Sequence, residues 1–146
     1  MAKARRSRSK VRKREISVPS VPPPPSVFSR GIVVTNLRKL IFLSGTCSHR
    51  AKDIRGQTLE VYENITTLLK KAGATWNDVV RCLLFLKDID RDFNEFDKVR
   101  REFFKRQGIK PPYPASTGVQ AKMVHPRPGM AAGDEFLIEM EVTAVV

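Results

Sequence analysis

Two cysteines and two histidines are all that the 146 residues contain of those types, and the scarcity removes whole classes of function. Cys47 and Cys82 form no C-x-x-C pair, and two thiols in a chain of this length make no disulfide framework. With only His49 and His125 beside them, no metal-ligand cluster takes shape, so a reduced protein without metal or cofactor is expected. Ser44, Ser116 and Cys47 lack a motif-level partner base, and neither histidine stands in a triad context, which argues against a serine or cysteine nucleophile. No apolar run approaches the roughly 18–20 residues needed to span a bilayer. The basic start runs into Pro and Ser rather than an apolar signal core. A cytoplasmic location and no membrane association are the expectation.

Acidic residues are missing from positions 1–14, which hold eight of the 27 Lys and Arg. Without this block 19 basic residues face 15 acidic ones, an ordinary balance. The net charge of +12 is therefore largely a property of the N-terminus. Such a block repels itself, is expected to be disordered in isolation and can touch a polyanion weakly. Residues 18–26, with four consecutive prolines, read as a stiff polyproline spacer. Residues 1–26 are thus expected to be a flexible tail and linker, and residues 27–146 a folded domain.

Within that domain Gly31–Thr35 and Lys39–Gly45, separated by a turn at Asn36–Arg38, read as a β-hairpin. Leu59, Tyr62, Ile65, Leu69 and Ala72 recur at helical spacing and predict a helix over 58–72, stopped by Gly73. Val79–Leu86 is almost uninterrupted apolar sequence and suits a central strand. A second helix is expected from about Phe93 to Gln107, ended by Gly108. Phe93, Phe96, Val99, Phe103 and Phe104 make its buried face, with Lys98, Arg100, Arg101 and Lys105 turned outward. Residues 116–124 and 136–146 complete the strands around a loop at 126–134.

The order ββαβαββ predicts an α+β fold, a mixed sheet with two helices on one face. The other face then needs a cover, because a monomer would expose an apolar patch that soluble proteins rarely tolerate. Self-association through that face is expected.

Leu43-Ser44-Gly45, Asn64-Ile65, Ala72-Gly73-Ala74, Asp78-Val79-Val80-Arg81, Phe85-Leu86-Lys87-Asp88, Phe93, Phe103-Phe104, Tyr113-Pro114-Ala115 and Ile138-Glu139-Met140-Glu141 follow one another at specific spacing. In this order they resemble the RidA/YjgF family, also known as endoribonuclease L-PSP or translation inhibitor proteins, over roughly residues 27–146. The resemblance implies a chorismate-mutase-like fold and a homotrimer with ligand clefts between subunits. It also implies hydrolysis of enamine and imine intermediates, such as 2-aminoacrylate, to keto acids and ammonia.

Carried over residue by residue, the resemblance makes Glu139 the group that positions the attacking water. It places Phe28, Gly45, Asp97, Ser116 and Thr117 at the substrate. Three positions depart from the family pattern. Phe28 stands for an aromatic hydroxyl and Asp97 for an asparagine. Ser116 stands where an arginine would grip the substrate carboxylate, and a serine cannot replace two parallel charged donors. Arg30, Arg81, Arg127 and Lys122 are the candidates for a substitute cation.

Three functions follow from this reading. The first is a RidA-like hydrolase or deaminase of a small metabolite, other than a typical 2-aminoacrylate deaminase. The second is a non-catalytic ligand-binding or regulatory trimer. The third is a nucleic-acid-associated protein acting through the basic N-terminus.

Overall fold

The computed structural model describes residues 10–124 and 135–146. Residues 1–9 of the basic block, the loop expected at 126–134 and the candidate cation Arg127 lie outside the described residues.

Nine elements follow in chain order: β1 (Arg12–Glu15), β2 (Ile32–Thr35), β3 (Leu40–Cys47), α1 (Ile54–Lys71), a single 3-10 turn (Trp76–Asp78), β4 (Val79–Leu86), α2 (Ile89–Arg106), β5 (Ala115–Gln120) and β6 (Ile138–Val145). The main sheet runs β3-β6-β4-β5. Its β4–β5 pair is parallel and the other two are antiparallel. This is the expected α+β arrangement of a mixed sheet and two helices.

Alternation along β6 shows which face the helices cover. Ile138, Met140, Val142 and Ala144 are buried, whereas Glu139, Glu141 and Thr143 point the other way. The buried set joins Val61, Ile65 and Leu69 of α1 and Phe96, Phe103 and Phe104 of α2 in one core. Tyr62 stacks on Phe103 with ring centroids 4.6 Å apart and leans on Trp76 at 5.0 Å. The Trp76 indole N–H donates to Thr66 Oγ1 at 2.8 Å, so its polar end is satisfied inside the packing.

Both helices start earlier than the apolar periodicity predicts. Asp53 caps α1 by accepting from the Gly56 N–H at 2.8 Å, and Asp88 caps α2 by accepting from the Arg91 N–H at 3.0 Å. Ile54 and Ile89 open the helices and pack against the core, but polar residues separate each from the next apolar position, which is why periodicity alone starts each helix late. Replacing Asp53 with Ala is expected to cost about 1 kcal/mol in urea denaturation. The helix ends agree with expectation: Gly73 (φ 73°) and Gly108 (φ 63°) take left-handed conformations that terminate α1 and α2.

The N-terminal hairpin is not formed. β2 pairs instead with β1, antiparallel from Arg12↔Thr35 to Glu15↔Ile32, as a separate two-stranded ribbon. β3 takes β6 as its partner, and the backbones of Lys39 and Val146 close that edge with reciprocal hydrogen bonds. Among the described residues the main sheet therefore has four strands rather than five.

Part of the basic block, Arg12–Arg14, is correspondingly held in β1. Alternation in β1 turns Arg12 and Arg14 to solvent and Lys13 inward. The Lys13 ammonium donates to the carbonyls of Asn77 and Val79. Hydrogen bonds to backbone and the separation of neighbouring charges onto opposite sides offset the repulsion that a basic run implies.

The second helix also departs from expectation at two positions. Phe93 is 39% exposed, and Arg100 is buried at 5%. The stripe at positions 96, 100, 103 and 104 runs straight through an arginine.

Candidate functional site

Side chains gather in two places, one on each face of the sheet. The first lies at the outer edge of β3. A β-bulge between Leu43 and Thr46 shifts the register, so that Cys47 comes opposite Glu139 of β6. Gly45 lies against the Glu139 carboxyl so closely that a Cβ there would overlap Oε1. Glycine is needed here for the close approach. Around them a surface cavity of about 630 Å³ is lined by Cys47, His49, Asn64, Leu68 and Phe136.

The Cys47 thiol hydrogen-bonds Glu139. Burial, with the charge of Glu139 and this bond behind it, pushes the thiol up to about 12. Cys47 is thus held as a protonated thiol beside the carboxylate. The loop that follows is tied down by Glu60 of α1. That carboxylate accepts from the Ser48 hydroxyl at 2.7 Å and from the backbone N–H of His49, Arg50 and Ala51 at 2.9, 3.0 and 3.2 Å.

The second gathering lies beneath α2, at the start of β5. Ser116 shares a small space of about 10 Å³ with Cys82, Phe96, Arg100 and Met140. Asp97 ion-pairs with Arg100 and, at 2.8 Å, with Arg101. It also accepts a hydrogen bond from Ser26 Oγ at 2.7 Å. Phe28 packs its ring against the Arg100 guanidinium, 5.7 Å from centroid to Cζ, and Phe96 does the same at 5.2 Å. Phe28, Asp97 and Ser116 are therefore brought together, with Arg100 as the group that joins them.

Thr117 stands apart. It is exposed, pairs with Leu83 and points to the sheet face opposite Ser116, as alternation along a strand requires. Glu139 and Gly45 likewise lie away from Ser116: Met140 lines the space under α2, and Glu139, one residue earlier, faces the other way.

None of the cations singled out from the sequence and described by the structure meets Ser116. Arg30 is exposed and donates to the Pro22 carbonyl at 3.1 Å. Arg81 lies exposed on the uncovered sheet face, and Lys122 borders a different cavity with Gln120 and Phe136. The cation beside Ser116 is Arg100, which an outward placement on α2 had hidden. Its signal was present in the spacing, since it follows Phe96 by four residues and precedes Phe104 by four. Cys47 carried no comparable signal, because its nearness to Glu139 depends on the bulge.

A small α+β subunit with a glycine-backed carboxylate at one sheet edge and a Pro-Ala-Ser strand under the second helix defines a recognisable class. The endoribonuclease L-PSP family model matches residues 20–146, and the chain belongs to this family, the RidA/YjgF proteins. A RutC family protein of Pyrococcus abyssi is 33% identical over 139 residues, covering 90% of this chain and 96% of that one. A 2-iminobutanoate/2-iminopropanoate deaminase of Dermatophagoides farinae is 28% identical over 114 residues, or 73% and 82% of the two chains. The crystal structure of YyfB from Yersinia pestis, a Rid family protein of unknown function, superposes with a TM-score of 0.69 at 25% identity, covering 92% and 98%. Among the described residues no helix is long and apolar enough to cross a membrane, and no group of His, Cys, Asp and Glu could hold a metal ion.

Proposed function

We propose that the chain forms a homotrimer that binds a small imine- or enamine-type metabolite in clefts between subunits and hydrolyses it to the carbonyl compound and ammonia. The observation that carries this reading is the separation of the two gatherings. Glu139 and Ser116 face opposite sides of one sheet, so a ligand touching both kinds of group must lie between two copies of the chain.

The uncovered face supports the same assembly. Phe42 is 74% exposed on it, with Leu83, Phe85 and Val119 alongside. A second copy of the chain is the occupant that both covers this apolar face and completes the site. The resemblance to an imine deaminase supplies the reaction class. Water held by Glu139 attacks the imine carbon while the carboxylate takes its proton and hands it to nitrogen. The carbinolamine then collapses, releasing ammonia and leaving the new C=O.

Sedimentation of the protein should give three times the chain mass, and 2-iminobutanoate generated in situ should lose its absorbance faster with the protein present. Phe42→Glu places a charge on the uncovered face, and it is expected to dissociate the assembly and abolish turnover together. A monomeric parent, or full turnover by a monomeric variant, would sink the reading. Binding without turnover by the parent would leave a non-catalytic ligand-binding trimer in its place.

A further inference from the structure

We propose that one end of the subunit, where both helices finish and strands β3 and β4 begin, is a docking surface for double-stranded DNA, held through its phosphates.

Outside residues 1–14 the chain holds 19 basic and 15 acidic residues, and the fold does not mix them evenly. Topology is the cause. β3 and β4 are both antiparallel to β6, so they run the same way and the helix after each returns against them. Both helix C-termini therefore fall at the end where these strands start. Lys70 and Lys71 close α1 there, and Lys105 and Arg106 close α2. A cavity of about 400 Å³ lined by Lys70, Asn77 and Gln107 joins the two helix ends to the turn before β4.

Other segments bring cations to the same end. The Lys110 N–H donates to Asn77 Oδ1 at 3.2 Å. The Lys39 ammonium donates to the Ala72 carbonyl, which sets Arg38 and Lys39 beside the end of α1. Lys13 reaches the Asn77 and Val79 carbonyls and so lays β1 across the start of β4, with Arg12 and Arg14 exposed.

Pairing separates this end from the rest of the subunit. Among the described residues every ion pair with a carboxylate is made by Arg50, Arg55, Lys87, Arg91, Arg100 or Arg101. Each of those lies elsewhere. Asp78, which sits among the cations of this end, is occupied by the Thr75 N–H at 2.8 Å and the Thr75 hydroxyl at 2.9 Å. The acids gather at the opposite end, where Asp53 and Asp88 cap the helices and Asp90 and Asp92 follow.

Cations in the last turn of a helix also offset its dipole, which accounts for those of α1 and α2. It does not account for Arg12, Arg14, Arg38 or Lys110, which belong to no helix. An unpaired cationic face drawn from separate segments is the footprint of a polyanion.

Two features select a DNA duplex among polyanions. Single strands are held by rings on which bases stack, and the rings at this end, Trp76 and Phe103, are buried. The cations stand on folded elements rather than on a loose arm, which suits the stiff, regular phosphate array of a duplex. With lysine and arginine as the contacting groups, binding is to phosphate and independent of base sequence. The surface is also separate from the proposed reaction, since Glu139 pairs with Cys47 at the far end of β3.

Fluorescence anisotropy of the full-length protein with a random-sequence DNA duplex, over a series of salt concentrations, tests this. Lys70→Gln with Lys71→Gln removes two charges from the proposed surface. Lys52→Gln with Lys98→Gln removes two exposed charges away from it. The first pair should lower the slope of log K against log salt by about two and weaken binding about tenfold, at an unchanged melting temperature. The second pair should stay within about twofold of the parent.

Equal effects of the two pairs overturn the proposal, because they assign binding to net charge or to residues 1–9. So does a parent that fails to bind the duplex, or that binds the single strand more tightly. Displacement of the duplex by poly-glutamate at equal charge also overturns it, and points to an acidic protein instead.

Discussion

Replacing Glu139 with Gln is expected to lower imine hydrolysis by about two to four orders of magnitude, with the oligomer and its thermal stability preserved. The amide keeps the size of the side chain and one acceptor oxygen, but it carries no charge to orient water and receive its proton. Gly45→Ala should act in the same direction through a different cause. The added Cβ would overlap Glu139 Oε1 and push the carboxyl away from Cys47. Turnover should therefore fall while substrate affinity changes little, which separates misplacement of the carboxylate from loss of binding. Cys47→Ser preserves a donor to Glu139 and should retain most of the rate. An unaltered rate in Glu139→Gln would show that water is positioned elsewhere.

The second large effect concerns folding and pH. Burial opposes ionisation of Glu60, but the Ser48 hydroxyl and the three backbone N–H groups outweigh it and pull the carboxyl from the usual 4.5 to about 2. A group whose folded value is depressed contributes stability that is complete above its unfolded value. That stability is lost as pH falls through the folded one. Glu60 should thus hold about 3 kcal/mol at neutral pH, declining from near pH 4.5 and exhausted near pH 2. Glu60→Gln should lower the melting temperature at pH 7 by about 10 °C and flatten its fall in acid over that window. The Arg50 guanidinium at 3.3 Å adds little, being 77% exposed. A wild-type acid slope in the Gln variant would assign the effect to other carboxylates.

Much of this architecture is legible in the residues. The apolar run 79–86, the stripes of both helices and the alternation of 138–144 each declare a face, and together they fix the layers. The hairpin failed for a reason that periodicity cannot convey. Residues 31–35 and 39–45 are adjacent in sequence, yet each found a stronger partner far away: Arg12–Glu15 for one, and the C-terminal strand for the other. Pairing is a competition decided over the whole chain, and local patterns enter only one side of it.

The site was legible in halves. Glu139 and Gly45 came from the family pattern and do lie together, and so do Phe28, Asp97 and Ser116. Arg100 escaped because charge was taken to mean exposure. A long arginine within an apolar stripe can bury its stem and still find aromatic faces and one carboxylate for its head. Thr117 was grouped with Ser116 because they are neighbours in sequence, although a strand sends neighbours to opposite faces.

The ribbon of β1 and β2 has a consequence for the surface beside it. Residues 15–31 are anchored by Lys13 on one side and by the Ser29–Pro114 backbone bond on the other, and they supply most of the wall of a cavity of about 370 Å³. Glu139 is carried by the frame of strands, whereas this cavity is built from the segment that precedes it. Two members of the family with the same Glu139 and different N-terminal segments would keep that carboxylate and differ in the wall of this cavity.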